Sequence, residues 1–168
     1  MGWSVDAKYI GIYLNDHLAG SVVGGELAKR AASSNSGTEL GDFLAELAEE
    51  IDDEREVLKS LLDHYGVAQN RFKMPIAWTA EKLGRLKPNG HLTGYSPLSR
   101  LVELEGLMLG VTGKLGMWRV LSATQSGLES FGLDELIVQA EAQRDGLEKW
   151  RLEAAQMAFG AGAQAPSA

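Results

Sequence analysis

Apolar residues recur at spacings of three and four along four stretches of this chain, with no convincing period-two alternation. The pattern predicts four long helices and no sheet. The first helix spans about 5–33 and carries Ile10, Leu14, His17, Ser21, Gly24, Ala28 and Ala31 along one seam. The second, about 38–65, is the clearest, with Leu40, Leu44, Leu47, Ile51, Glu54, Leu58, Leu61 and Tyr65 in register. Ser36 and Thr38 mark its start, and Ser36 with Glu39 has capping-box spacing. The third, about 97–122, opens on Ser96-Pro97, a cap followed by proline at the first helical position. The fourth, about 133–159, holds Leu136, Ala140, Gln143, Leu147, Trp150, Ala154 and Met157. Residues 160–168 are small side chains and a proline, and read as a flexible tail.

The connections constrain the topology. Only a few residues near Asn35 separate helices one and two, so these should form an antiparallel hairpin. Helices two and three are separated by 66–96, far more than a short bundle turn, and 75–86 suggests a short helix within it. A helix of this size is about 40 Å long at 1.5 Å per residue, a distance such a connection can cover. A crossover to the opposite end of the bundle fits better than up-down-up-down winding. The expectation is one all-α domain over 1–159.

Composition narrows the class. At 45% hydrophobic and 23% charged residues, the chain can bury a substantial core. It has no cysteine, which excludes disulfides, thiolate metal sites and thiol nucleophiles. There is no basic stretch followed by an apolar run at the start and no run of about 20 apolar residues, so a cytoplasmic location and no membrane span are expected. No nucleophile elbow, Walker loop or histidine-pair zinc motif occurs, which favours a protein that is not an enzyme.

Helix number, helix length and the central crossover together resemble the ferritin-like superfamily, from the first helix to the fourth. That resemblance implies a four-helix bundle, and in the metal-binding members of such folds a glutamate comes from each of two helices and Glu-x-x-His from each of the other two. Glu26 and Glu105 match the single glutamates by position. The paired motifs depart from the pattern: helix two offers Glu54-x-x-Val57 or Glu50-x-x-Asp53, and helix four Glu141-x-x-Arg144, neither with histidine. The resemblance therefore implies metal chemistry that is lost or rebuilt, with no cofactor expected. Its alternative is iron or manganese held by Glu26, Glu54 and Glu105, for iron handling or di-metal oxidation, or an all-oxygen site joining Glu50 to Glu26 and Glu105.

Under ferritin-like winding, counting inward from the helix ends places Glu54 at the height of Asp16 or His17, of Thr112 or Lys114, and of Arg144. Glu54 interrupts an aliphatic seam between Ile51 and Leu58, and a buried carboxylate needs a partner or a proton. A network of His17, Glu54, Thr112 and Arg144 is the expectation, the Arg144 guanidinium satisfying both carboxylate oxygens. The alternative is that Glu54 reaches the surface beside Arg55. About two turns nearer the first hairpin, Glu26, Glu105 and Arg151 share a level near Glu46 or Glu50.

Glycine and charge add the last two features. Gly11, Gly20, Gly24 and Gly25 fall in helix one, and Gly106, Gly110, Gly113 and Gly116 in helix three. Each costs a helix up to about 1 kcal/mol against alanine, so close helix contact is expected in return, either between helices one and three or against a second subunit. Helix three is apolar nearly all round, which favours a homo-oligomer, most simply a dimer. The net charge of −7 is also divided: residues 66–100 hold six basic side chains and one acid, a local +5 that leaves −12 for the rest. Arg71, Lys73, Lys82, Arg85 and Lys87, interleaved with Phe72, Trp78 and Tyr95, could bind phosphate groups or single-stranded nucleic acid. Neutralisation of acidic helix two by this segment is preferred, because the overall field opposes nucleic acid. The resulting expectation is a non-catalytic helical scaffold or interaction protein with a buried Glu/Arg/His network.

Overall fold

The computed structural model describes residues 7–69 and 95–160. The described residues are helical without a strand: α1 (Ala7–Ser34), α2 (Glu39–His64), α3 (Pro97–Thr124), a 3-10 turn (Glu129–Phe131) and α4 (Leu133–Phe159). None of these helices is long and apolar enough to cross a membrane. The short helix expected at 75–86, the basic residues Arg71, Lys73, Lys82, Arg85 and Lys87, and 161–168 of the tail lie outside the described residues.

Local chemistry fixes the helix starts. Thr38, in an extended conformation, caps α2 by accepting from Gly41 N at 3.1 Å, and its hydroxyl donates to the Asn35 carbonyl at 2.7 Å. The cap is thus Thr38, and Ser36 lies two residues outside, because the left-handed turn at Gly37 (φ 77°) carries the chain past it. Ser96 accepts from Ser99 N at 3.0 Å, with Pro97 behind it at the start of α3.

The helices pair as two hairpins, α1 with α2 and α3 with α4, and the hairpins join through α1 against α3 and α2 against α4. Along α1 and α2 the partners run in opposite senses, as in Lys29 with Asp52 at 2.9 Å and Arg55 with Ser21 at 3.3 Å. Arg119 with Glu141 at 2.5 Å and Arg151 with Glu105 at 3.6 Å do the same for α3 and α4. The Tyr65 hydroxyl reaches Gln125 at 3.3 Å, so α2 and α3 finish at one end of the bundle. Arg100 donates to Asn35 at 2.8 Å, so α3 begins at the other end, by the first turn. Helices α2 and α3 therefore run in the same direction.

The core has two apolar parts. One gathers Leu27, Ala28, Leu44, Leu47, Ile51, Leu104, Val111 and Leu147; the other gathers Leu14, Leu58, Leu61, Leu115, Trp118, Leu136 and Ala140. Each helix passes from the first part to the second across one layer of polar or small residues. In α2 that layer is Glu54, in α3 Lys114, in α4 Gln143, and in α1 His17, Gly20, Ser21 and Gly24.

Candidate functional site

Glu54 is 3% exposed, on the inner face of α2 one turn from Ile51 and one from Leu58. It does not reach the surface beside Arg55, which turns instead to Asp52 and Ser21. Two groups hold its carboxylate: the Lys114 ammonium donates to Oε2, and Gln143 Nε2 donates to Oε1 at 3.1 Å. Gln143, itself 4% exposed, spends its other amide hydrogen on Glu50 Oε2 at 2.7 Å and accepts from Lys114 Nζ at 2.5 Å. Every atom of the Gln143 amide is thereby matched, as burial requires.

Burial sets the protonation chemistry of the pair. Loss of solvent pushes the Glu54 pKa above the ordinary carboxylate value, against the Lys114 ammonium and the hydrogen bonds that favour the anion. The same loss of solvent pulls Lys114 down, against the pull of Glu54 and Glu50. The two groups approach each other in proton affinity, and each is charged at a cost.

Thr112 and Arg144 are displaced from the expected network. Thr112 is exposed, and Lys114 holds the α3 position; two residues are about 200° around a helix. Arg144 pairs with neighbouring Asp145 at 2.9 Å on the outside of α4, and Gln143, one residue or about 100° away, faces inward. His17 does come to the same layer, half-buried, packing edge-on against Tyr13 with ring centroids 4.8 Å apart. Desolvation lowers its pKa, with Asp16 opposing.

The second expected layer is dispersed. Glu26 is exposed near Lys29 at 3.8 Å, Glu50 belongs to the Glu54 layer, and Glu105 meets Arg151, whose stronger partner is Glu148 at 2.7 Å. Glu26, Glu54 and Glu105 do not converge, and among the described residues no group of three or more His, Asp or Glu has an arrangement that could hold a metal. Near the first hairpin the buried acid is Glu103, 6% exposed, bonded to Arg30 at 2.8 Å and to the Tyr95 hydroxyl at 2.8 Å. Sequence reasoning missed Glu103, whose partners lie 73 and 8 residues away. Gln143 was findable, since it occupies an apolar seam between Ala140 and Leu147.

A cleft of about 250 Å³ opens between α1 and α3 and reaches inward to Glu54 and Lys114. Its walls are Ile51, Leu58, Leu107, Val111 and Met117, with Asp16 and His17 also lining it. No protein-family model, curated protein or solved structure matches this chain. The site combines an opening at the surface, apolar walls and an ionic floor in which Glu54 and Gln143 are hydrogen-bonded. The glycine faces of α1 and α3 do meet here, but around open space. A Cβ at Gly20, Gly24, Gly110 or Gly113 meets nothing within 4 Å, so these four do not provide the close contact expected, whereas Gly106 does, a Cβ there standing 3.2 Å from Leu27 of α1.

Proposed function

We propose that the protein is a ferritin-like bundle in which an ion pair occupies the centre, and that it acts as a non-catalytic helical scaffold or interaction protein. The observation carrying this reading is the Lys114 ammonium seated on Glu54 between two apolar core halves. A cation already neutralises the central carboxylate and would oppose a divalent ion beside it. Four helices in two antiparallel hairpins, with α2 and α3 running in the same direction, are the architecture that the ferritin-like assignment needs. Assembly as a homo-oligomer, most simply a dimer, is supported by large apolar side chains left outside, among them Leu109, Val120, Val138 and Phe159.

Metal analysis of protein purified without chelator tests the central claim, with iron, manganese and zinc each expected well below one equivalent. One or two equivalents removed only by a chelator would sink it in favour of a metal-binding ferritin-like protein. Light scattering at micromolar concentration should report a mass above that of one chain, and a monomer would remove the assembly.

A further inference from the structure

Glycine inside a helix is normally returned as close packing, and at Gly20, Gly24, Gly110 and Gly113 no packing returns it. What these residues keep is the open volume of the cleft, which alanine or leucine would reduce. Its floor holds one donor to spare. Of the three N–H groups of the Lys114 ammonium, one goes to Glu54 and one to Gln143; the third has no partner among the described residues, and the side chain lines the cleft.

The charge of the floor selects the ligand. Glu50 and Glu54 stand against one ammonium, and Asp16 adds a further carboxylate to the lining. An anion would meet net negative charge, and a cation would compete with Lys114 for oxygens already bonded. A neutral oxygen acceptor meets neither obstacle, and the apolar walls suit a hydrocarbon body. We propose that the cleft between α1 and α3 binds a small apolar molecule carrying a neutral carbonyl group, whose oxygen accepts the third N–H of Lys114. This site is independent of the scaffold reading, since a bundle can hold such a molecule whether or not it assembles.

Propiophenone and propylbenzene differ by that carbonyl oxygen and serve as probes, titrated into the full chain and followed by saturation-transfer NMR. Saturable binding of propiophenone about tenfold tighter than propylbenzene is expected, tenfold being about one hydrogen bond. Gly113→Leu, which fills the cleft, should abolish binding of both. The double variant Lys114→Met with Glu54→Gln leaves an amide facing Gln143 and should erase the preference while propylbenzene still binds. Equal binding of the two probes to the parent overturns the proposal. So does a lower Tm for Gly110→Ala with Gly113→Ala, which would mean that protein already fills the space. Dissociation of an oligomer by that same pair would place a second copy in the cleft and also overturns it.

Discussion

Lys114 and Glu54 each make the other's charge bearable in a place that favours neither. Removing the cation alone exposes what the pairing does. Lys114→Met leaves a buried carboxylate with only Gln143 to bond it and should cost about 3–5 kcal/mol at neutral pH. The pH dependence has a definite sign. Burial already raises the Glu54 pKa with Lys114 present, and the ammonium is the largest influence holding it down, so its loss raises that pKa further. A carboxyl with a folded-state pKa above its unfolded value contributes stability fully below the unfolded value, and loses it as pH rises through the folded one. The deficit of Lys114→Met should therefore shrink as pH falls from neutral through the raised pKa. Urea denaturation at a series of pH values measures it, and a constant deficit would contradict the assignment. Glu54 was legible in the sequence because a carboxylate in an aliphatic seam announces itself. Its partners were legible only to the nearest turn: neighbouring residues on a helix diverge by about 100°, so counting heights could not separate Gln143 from Arg144.

At the scale of the helix, similar glycines have different jobs. Gly41 sits where a Cβ would collide with the Asn35 backbone carbonyl, in the turn that Thr38 caps, and backbone cannot step aside. Gly146 lies against the Phe43 ring, 2.6 Å from the site of a Cβ, and so permits the approach of α2 to α4. Gly20 meets nothing. Gly41→Ala should cost about 1–3 kcal/mol through this overlap. Gly20→Ala should gain up to about 1 kcal/mol from helix propensity, or about 2–4 °C in Tm for a chain of this size. Thermal melts of the two variants should move in opposite directions, and a loss in both would mean that α1 packs at Gly20. Helices were the most readable level of this protein, because the stripe of α2 and the Ser96-Pro97 start of α3 are local signals. The spacing of glycines was equally visible, but whether such a face closes on its neighbour depends on the distance between helices, which no spacing encodes.

In the whole molecule, two hairpins are tied at the centre by the Glu54 layer and at one end by a second polar cluster. There Asn35, 4% exposed, accepts from Arg100 and donates to the Tyr95 hydroxyl at 3.1 Å, while Tyr95 donates to Glu103 and Arg30 pairs with Glu103. The cluster joins the turn after α1 to the start of α3, across 60 residues or more for its Asn35 bonds, so no local pattern could reveal it. Tyr95 gives it a titration signature. Burial first, and the Glu103 carboxylate beside the hydroxyl, push the Tyr95 pKa up to about 12, although the Asn35 hydrogen bond and Arg100 oppose the rise. The folded state thus keeps the phenol proton longer than the unfolded chain, which releases it near 10. Stability from this difference is complete below about 10 and is lost as pH rises through about 12. The parent should accordingly weaken across that interval in urea denaturation. Tyr95→Phe should start from a lower stability at neutral pH, having lost both hydrogen bonds of the hydroxyl, and then fall less steeply with pH because it has no phenol to ionise. Parallel curves for the two proteins across the alkaline interval would remove Tyr95 from the tie between the hairpins.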